Sequence, residues 1–341
     1  MKRLSTIAVV VAIGMVLSLG LFGCSDDEIT KPGVNEFEML TELGDSYFTS
    51  YTTPAGLPVN VDAASVYAGL TDGNPSNDPY LLDWRSAAHF ALGHIQGAVN
   101  VGSLTSVDFE DVLAAIPSGK RVVNVCYTGQ TASYATSLMN MLGYEAQNLK
   151  FGMCGWTSDQ SVNLAKWDNG INNDFAGWMS TQTYTSTQTQ AGPSLNTGKS
   201  DPKDILMARV RSHFTAGWKT ITAQALFNAV ELDGKADDYF IINYFNEAEY
   251  NAGHIPGAVR FQPKQDFRLD QKLHLLPTDK KIVVYCYTGH TSAQVIAYLN
   301  ALGYDAYTLV FGVNGMCYEN VDICTTQYHA PATDYPVVTT P

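Results

Sequence analysis

The sequence has little positive charge for its length. Of its 341 residues, 20 are Lys or Arg and 33 are Asp or Glu, which gives a formal net charge of −13. An acidic chain repels the phosphate backbone of nucleic acids, so we expect no nucleic-acid partner. Hydrophobic residues make up 45% of the chain, which is enough for two cores.

Long hydrophobic runs are lacking beyond the N-terminus. No later apolar stretch approaches the roughly 20 residues of a membrane-spanning helix. The chain starts with Met1-Lys2-Arg3, continues with an apolar core over 7–19 and then reaches Leu21-Phe22-Gly23-Cys24. This order is typical of a bacterial secretory signal, so residues 1–23 are predicted to be a signal peptide.

The end of this signal resembles the lipobox of bacterial lipoproteins. The resemblance implies cleavage before Cys24 and acylation of that cysteine, which would tether the mature chain to a membrane by lipid. The alternative is an ordinary signal peptide with an incidental cysteine. Ser25, and not aspartate, follows the cysteine, which favours the outer over the inner membrane. We therefore expect an extracytoplasmic, lipid-anchored protein of the bacterial cell envelope.

Cysteine is scarce, and its spacing gives no zinc site. Five of the six cysteines lie beyond Cys24, and an odd number cannot all pair internally. Neither a Cys-x-x-Cys motif nor a His/Cys spacing suggests a metal, and no cofactor is predicted. Cys317 and Cys324 are close in sequence, so they either form a disulfide outside the cytoplasm or remain free thiols.

One hexapeptide occurs twice, almost unchanged. Its copies are Cys126-Tyr127-Thr128-Gly129-Gln130-Thr131 and Cys286-Tyr287-Thr288-Gly289-His290-Thr291. The same offset of 160 residues superimposes Gly93-His94-Ile95 on Gly253-His254-Ile255. This period is far longer than that of a solenoid repeat, so the sequence predicts two domains.

Composition divides the chain further. Residues 159–201 are rich in Asn, Thr, Gln, Ser and Gly, which is typical of a linker, and the Pro- and Thr-rich end is expected to be loose. The predicted segments after the signal are a tether and lead-in segment (24–55), a first domain (56–158), the polar linker (159–201), a second domain (202–325) and a tail (326–341).

Strands and helices alternate within each repeat. In the first copy we predict strands over Tyr80–Asp83, Val122–Val125 and Ala146–Leu149, and helices over Ser86–Leu92, Phe109–Ile116 and Thr131–Leu142. Such alternation favours a mostly parallel α/β sheet with helices on both faces. Ligands bind such sheets beyond the carboxyl ends of the strands, where Cys126 and Cys286 are expected.

Each hexapeptide places a cysteine between a strand and a helix. Backbone N–H groups of the loop and the positive end of the helix favour thiolate, so we expect a lowered thiol pKa. Gly129 and Gly289 allow the loop to turn tightly. Such a thiolate can attack a sulfane sulfur and hold it as a persulfide; the alternative is a buried, inert cysteine.

Further motifs recur in chain order around these loops. They are Leu82-Asp83-Trp84-Arg85, Gly93 to Ala98, Val123 to Cys126, Leu142-Gly143-Tyr144 and Gly152 to Trp156, with Gly253 to Ala258 and Val283 to Cys286 in the second copy. In these motifs the chain resembles the rhodanese, or sulfurtransferase, family. The resemblance implies two domains, each a parallel five-stranded sheet with helices on both faces. It also implies sulfur transfer through a persulfide, with Cys126 and Cys286 as nucleophiles and residues 127–131 and 287–291 as substrate loops.

The two copies differ from each other behind the loops. Asp83 and Arg85 match the family's paired Asp and Arg, which suggests an internal ion pair supporting the first loop. Asn243 and Phe245 replace them in the second copy, so that pair is lost.

Two loop positions also depart from relatives. Tyr127 and Tyr287 stand where thiosulfate enzymes of the family often carry Arg, which disfavours thiosulfate binding. Ala132 and Ser292 stand where the phosphatase relatives carry Arg, which disfavours phosphate ester hydrolysis.

Histidines and one further cysteine have competing interpretations. His94 and His254 are expected to be structural turn residues that hydrogen-bond backbone. His290 lies four residues after its loop cysteine and could stabilise the thiolate, act as a proton donor or simply face solvent. Cys154 either resolves an oxidised or persulfidated Cys126 or packs in the core.

Two function classes remain open. The first is an exported sulfurtransferase or sulfane-sulfur carrier, with a small sulfur-containing donor and a thiol acceptor. The second is a non-catalytic binding or sensing module that docks an envelope protein partner. Reactivity distinguishes them, since a carrier needs a loop cysteine that reacts below the usual thiol pKa of about 8.5.

Overall fold

The computed structural model describes residues 35–214 and 218–339. Up to residue 163, its helices are α1 (Glu36–Ser50), α2 (Ala63–Leu70), α3 (Ala87–Leu92), α4 (Phe109–Ala114), α5 (Gln130–Leu142), α6 (Met153–Trp156) and α7 (Gln160–Asn163). The strands there are β1 (Asn60–Val61), β2 (Tyr80–Asp83), β3 (Val99–Asn100), β4 (Val122–Val125) and β5 (Ala146–Leu149).

The second repeat has the same order of strands, with 3₁₀ segments in place of α4 and α6. Its helices are α8 (Pro202–His213), α9 (Ala223–Phe227), α10 (Glu247–Ala252) and α11 (His290–Ala301), and its strands are β6 (Thr220–Ile221), β7 (Tyr239–Asn243), β8 (Val259–Arg260), β9 (Lys281–Tyr285) and β10 (Ala306–Leu309). Short 3₁₀ segments occur at Leu104–Ser106, Ala176–Trp178, Ala236–Asp238, Leu273–Leu275 and Gly312–Gly315, and a π turn at Asn228–Leu232.

Each repeat forms a parallel five-stranded sheet, with the orders β1-β5-β4-β2-β3 and β6-β10-β9-β7-β8. The predicted α/β fold is therefore confirmed. Every side chain of β4 is buried, as expected for a central strand covered on both faces. Its one polar residue, Asn124, accepts a hydrogen bond from Trp84 Nε1 at 2.8 Å and donates one to Thr136 Oγ1 at 2.9 Å.

The two repeats pack through the helices that follow the cysteine loops. Helices α5 and α11 lie against each other, and Ser137 Oγ donates to the carbonyl of Gln294 at 3.0 Å. Their facing residues belong to one buried apolar cluster that includes Leu138 and Ile296. Because each cysteine loop leads directly into one of these helices, the packing brings the two loops to the same interface.

The lead-in segment contains an ordered helix, α1. Asn35 caps it by accepting from the N–H of Glu38 at 3.2 Å. A Cβ on Gly44 would collide with the Tyr298 ring of α11, and Phe48 packs on the same ring with centroids 5.2 Å apart. This part of the predicted tether is therefore a packed element of the fold.

The linker pairs with the Gly-His turn of the second domain, and the tail pairs with that of the first domain. Linker residue Ser180 forms a β-bridge with His254, and tail residue Val338 forms the equivalent bridge with His94. Trp156 Nε1 donates to the Pro336 carbonyl at 3.0 Å, and the Tyr335 ring packs on Trp156. The expectation of a loose tail is wrong up to residue 339, because its aromatic and apolar side chains fill a surface of the first domain.

Candidate active site

Both cysteines lie at the carboxyl ends of central strands. Cys126 follows β4 directly and Cys286 follows β9. Gly129 and Gly289, each with φ of +82°, precede the first residue of α5 and of α11. A left-handed residue is needed there for the chain to turn from strand into helix, which explains glycine at both positions.

The first loop forms a cradle around its sulfur. Cys126 Sγ accepts hydrogen bonds from the N–H of Gly129 at 3.1 Å and of Ala132 at 3.4 Å. The cysteine is 1% exposed, and this burial raises its thiol pKa, while backbone N–H groups of the loop oppose the rise. The predicted lowering of the thiol pKa is therefore wrong for the closed loop, because desolvation outweighs the amides.

The second loop contacts its sulfur differently. Cys286 Sγ accepts from the N–H of Ser292 at 3.4 Å, and its thiol lies 3.5 Å from Ser292 Oγ. Ser292 Oγ in turn lies 2.7 Å from Thr308 Oγ1. The first copy has Ala132 where this serine stands, so the two sulfur atoms have different polar surroundings.

A second glycine supports each loop from below. A Cβ on Gly152 would collide with the Cys126 carbonyl, and a Cβ on Gly312 would collide with the Cys286 carbonyl. The following N–H groups hold those carbonyls, since Met153 N donates to Cys126 O at 2.8 Å. The close approach explains why both repeats carry Phe-Gly at this point.

Behind the first loop, Asp83 and Arg85 form an ion pair at 2.8 Å with both side chains fully buried. The guanidinium also donates to the carbonyls of Gly93 at 2.8 Å and Val162 at 3.2 Å. It lies 5.9 Å from the ring centroid of Tyr127, the residue after the nucleophile. The pair therefore connects the strand end, the Gly-His turn and the loop.

The second repeat lacks the Asp–Arg pair, and a buried tyrosine hydroxyl there contacts the end of β7 and the Gly-His turn. Tyr285 OH accepts from Asn243 Nδ2 at 2.9 Å and from the N–H of Ile255 at 3.0 Å. Phe245 stacks on Tyr287 with ring centroids 4.4 Å apart. The sequence analysis did not single out Tyr285. The available signal was that the offset of 160 residues aligns this tyrosine with Val125, at the end of a buried strand.

The fifth residue of each loop reaches the other repeat. Gln130 Oε1 accepts from the N–H of Phe311 at 2.9 Å, and His290 Nε2 donates to the carbonyl of Thr128 at 2.8 Å. His290 is 3% exposed, and burial lowers its pKa to about 4. The solvent-facing alternative is therefore wrong, and the imidazole hydrogen-bonds the opposite loop rather than its own cysteine.

The remaining loop side chains make local contacts. Tyr127 OH hydrogen-bonds His89 Nδ1, and Thr128 Oγ1 accepts from Gln130 Nε2 at 3.2 Å. In the second loop Thr288 Oγ1 lies 3.4 Å from the N–H of the following histidine. Thr131 and Thr291, in the first turns of α5 and α11, are half-buried.

Three further cysteines among the described residues are buried free thiols. Cys154 lies in an aromatic cluster with Trp167 and Tyr328, and its Sγ is 3.6 Å from the carbonyl of Asn163. Burial raises its pKa to about 11, which favours packing over a resolving role. Cys317 and Cys324 share one apolar cluster but are not bonded to each other, and burial raises the pKa of each to about 12.

The Gly-His turns are held by backbone contacts, as expected. His94 Nδ1 lies 3.0 Å from the Phe90 carbonyl, and His254 Nδ1 lies 2.7 Å from that of Tyr250. The predicted signal peptide and lipidated Cys24 lie outside the described residues. Over residues 35–214 and 218–339, no helix has the length and apolar character needed to cross a membrane.

Two α/β domains, each with a glycine-containing cysteine loop at the carboxyl end of its sheet, define the class of protein. The family model described as Rhodanese-like domain matches residues 62–159 and 228–317. Because these matches cover more than half of the chain, the protein belongs to the rhodanese-like domain family.

Individual relatives are distant. The chain is similar to a tRNA sulfurtransferase of Pyrobaculum aerophilum, 36% identical over 80 residues, which are 24% of this chain and 16% of that protein. Among solved structures it is similar to a thiosulfate sulfurtransferase from Pseudomonas aeruginosa (18% identity, 87% of this chain, 49% of the other, TM-score 0.29). It is also similar to a rhodanese-like domain protein from Staphylococcus aureus (19% identity, 29% of this chain, 92% of the other, TM-score 0.26).

Proposed function

We propose that this chain is a sulfurtransferase or sulfane-sulfur carrier that works through a persulfide on a loop cysteine. The observation that carries the proposal is the pair of backbone N–H groups that point at Cys126 Sγ from a helix-initiating loop. Amides in this arrangement stabilise a thiolate, and they are placed to stabilise the negative charge of a bound persulfide. Family membership supports the same chemistry.

The proposed reaction has two displacements. The Cys126 thiolate attacks the outer sulfur of a polysulfide or persulfide donor, one S–S bond forms, and the donor's S–S bond breaks to release a thiolate. A thiol acceptor, as its thiolate, then attacks the terminal sulfur, and Cys126 leaves as thiolate. The electrons balance without a further oxidant or cofactor, and no arginine is available at Tyr127 to bind thiosulfate.

Burial favours a non-catalytic binding or sensing module instead. Cys126 and Cys286 are only 1% and 2% exposed, and burial raises the pKa of the Cys126 thiol. Sulfur transfer from a polysulfide to cyanide or a thiol separates the two functions. We expect transfer by the parent protein and none by the Cys126→Ser, Cys286→Ser double variant. Equal transfer by both proteins would contradict the proposal.

We further propose that the protein acts in the bacterial cell envelope, held by lipid on Cys24. The support is the basic start, apolar core and Leu-Phe-Gly-Cys sequence at the N-terminus. We expect the parent protein to fractionate with membranes and Cys24→Ala to be released or left unprocessed. Unchanged processing and attachment of that variant would contradict the lipid anchor.

A further inference from the structure

One peptide unit connects the Cys126 sulfur to the second domain. The Thr128 carbonyl and the Gly129 N–H belong to the same planar trans peptide, so they point in opposite directions. The N–H lies 3.1 Å from Cys126 Sγ. On the other side, the carbonyl accepts from His290 Nε2 at 2.8 Å and from Trp167 Nε1 at 3.1 Å. Rotation of this peptide would break all three contacts together.

Both donors come from outside the first domain. His290 is the first residue of α11 in the second domain, and Trp167 lies in the linker. Because a carbonyl can only accept, Nε2 carries the imidazole hydrogen. His290 packs against Phe151 and Trp167, with ring centroids 5.4 and 6.0 Å away, so the imidazole has a fixed orientation.

The second loop lacks this arrangement within the described residues. There the reciprocal side chain, Gln130, accepts from the N–H of Phe311 and does not hold the Thr288–Gly289 peptide. Correspondingly, Cys286 Sγ receives its backbone hydrogen bond from Ser292 and none from Gly289. Of the two described loops, only the first has a hydrogen bond from its glycine N–H to the cysteine sulfur. It is also the loop in which side chains hydrogen-bond the carbonyl of that same peptide.

We propose that His290, together with Trp167, is a positioning residue for Cys126. By holding the Thr128 carbonyl, the second domain and the linker fix the Gly129 N–H toward the sulfur and so stabilise its thiolate and persulfide. Hydrogen bonds to the carbonyl also polarise the N–H of the same peptide, which strengthens its bond to a charged sulfur. The inference rests on the proposed function only in taking Cys126 as the reacting thiol.

The variants used below to test the proposal leave the other ionisable groups near these hydrogen bonds in place. Asp83, paired with Arg85, and the Cys154 thiol act on the charge of Cys126, and Lys150 acts on His290. Burial holds the pKa of His290 at about 4, so the imidazole is a neutral donor at the pH values where thiols titrate.

The test is the pH dependence of Cys126 alkylation, read by peptide mass spectrometry in a Cys286→Ser background. His290→Leu removes the donor, and we expect the alkylation midpoint of Cys126 to rise by about 1 pH unit, the size expected for a hydrogen bond to a charged group. His290→Gln keeps a side-chain N–H, as Gln130 does in the first loop, and should restore most of the midpoint. Trp167→Phe removes the second donor and should raise the midpoint in the same direction.

Each outcome is decisive. An unchanged midpoint in folded His290→Leu would overturn the proposal, as would equal shifts in the Leu and Gln variants. If His290→Leu does not fold, Trp167→Phe decides by the same measurement. A midpoint shift without sulfur transfer in the parent would contradict the proposed function but not this inference, and the converse result would contradict this inference alone.

Discussion

Arg85 is the largest charged side chain that the fold buries completely, and all of its contacts are internal. Removing it would leave the Asp83 carboxylate buried without a partner, which costs roughly 3–5 kcal/mol. We predict that Arg85→Ala lowers the free energy of unfolding by that amount in urea titrations. Lys235→Ala is the matched control, because its ion pair with Asp233 is exposed and should contribute less than about 1 kcal/mol. Equal losses in the two variants would contradict the supporting role of the buried pair.

His290 makes stability depend on pH. Its pKa is about 4 in the folded protein against a usual 6.5, so the unfolded chain binds a proton first as the pH falls. The stability is fully present above pH 6.5 and is lost toward pH 4, by up to about 3 kcal/mol. We predict that His290→Gln flattens the unfolding free energy over this range.

The parent and this variant must be compared at each pH. Burial also raises the pKa of Asp45 to about 6, and that carboxyl acts in the opposite direction over part of the same range. The difference between the two proteins isolates the histidine. A constant difference from pH 7 to pH 4 would contradict the lowered pKa.

At the residue scale, the sequence placed Cys126 and Cys286 correctly between a strand and a helix, because strand, loop and helix are local. It did not identify the partner of His290 or the role of Trp167, since these contacts join residues far apart in the chain. The thiol pKa of Cys126 was predicted in the wrong direction for a similar reason. Local amides are visible in a motif, whereas the burial of the thiol depends on tertiary packing that a motif does not show.

At the scale of elements, the central strands β2, β4 and β5 have the predicted bounds. β2 and β4 are short, mostly apolar runs of the kind that predicts a buried strand, whereas β5 has only two apolar residues of four. Helix ends were less certain: α5 begins at Gln130, one residue before the prediction, and α4 ends at Ala114, two residues before it. Such ends depend on capping and on the last turn more than on the hydrophobic pattern.

The tail was predicted least well because its composition resembles that of a flexible end. Tyr335 lies against Tyr67 and Trp156, with ring centroids 4.7 and 5.1 Å away. We predict that Tyr335→Ala lowers the free energy of unfolding by about 1–3 kcal/mol through lost aromatic packing. Val321→Ala, at a side chain that is 63% exposed, should have little effect. An equal, small change in both variants would indicate that the tail does not stabilise the first domain.

At the scale of the whole molecule, the two repeats pack at one interface, and each repeat also contacts the segment that follows the other repeat in the chain. Helices α5 and α11 join the domains, while the linker and the tail each cover the opposite Gly-His turn. In this arrangement Cys126 and Cys286 are 1% and 2% exposed. Duplication was evident from the offset of 160 residues, but the way in which the copies pack is not encoded in any one repeat.

The central claim is that Cys126 carries the sulfur, and mass spectrometry after exposure to polysulfide tests it directly. Intact masses of the parent, Cys126→Ser and Cys286→Ser should be compared before and after reduction. We predict a reducible gain of sulfur in the parent and in Cys286→Ser, with most of it lost in Cys126→Ser, because only the first described loop directs its glycine N–H at the sulfur. Full sulfur loading of Cys126→Ser together with loss in Cys286→Ser would contradict this account.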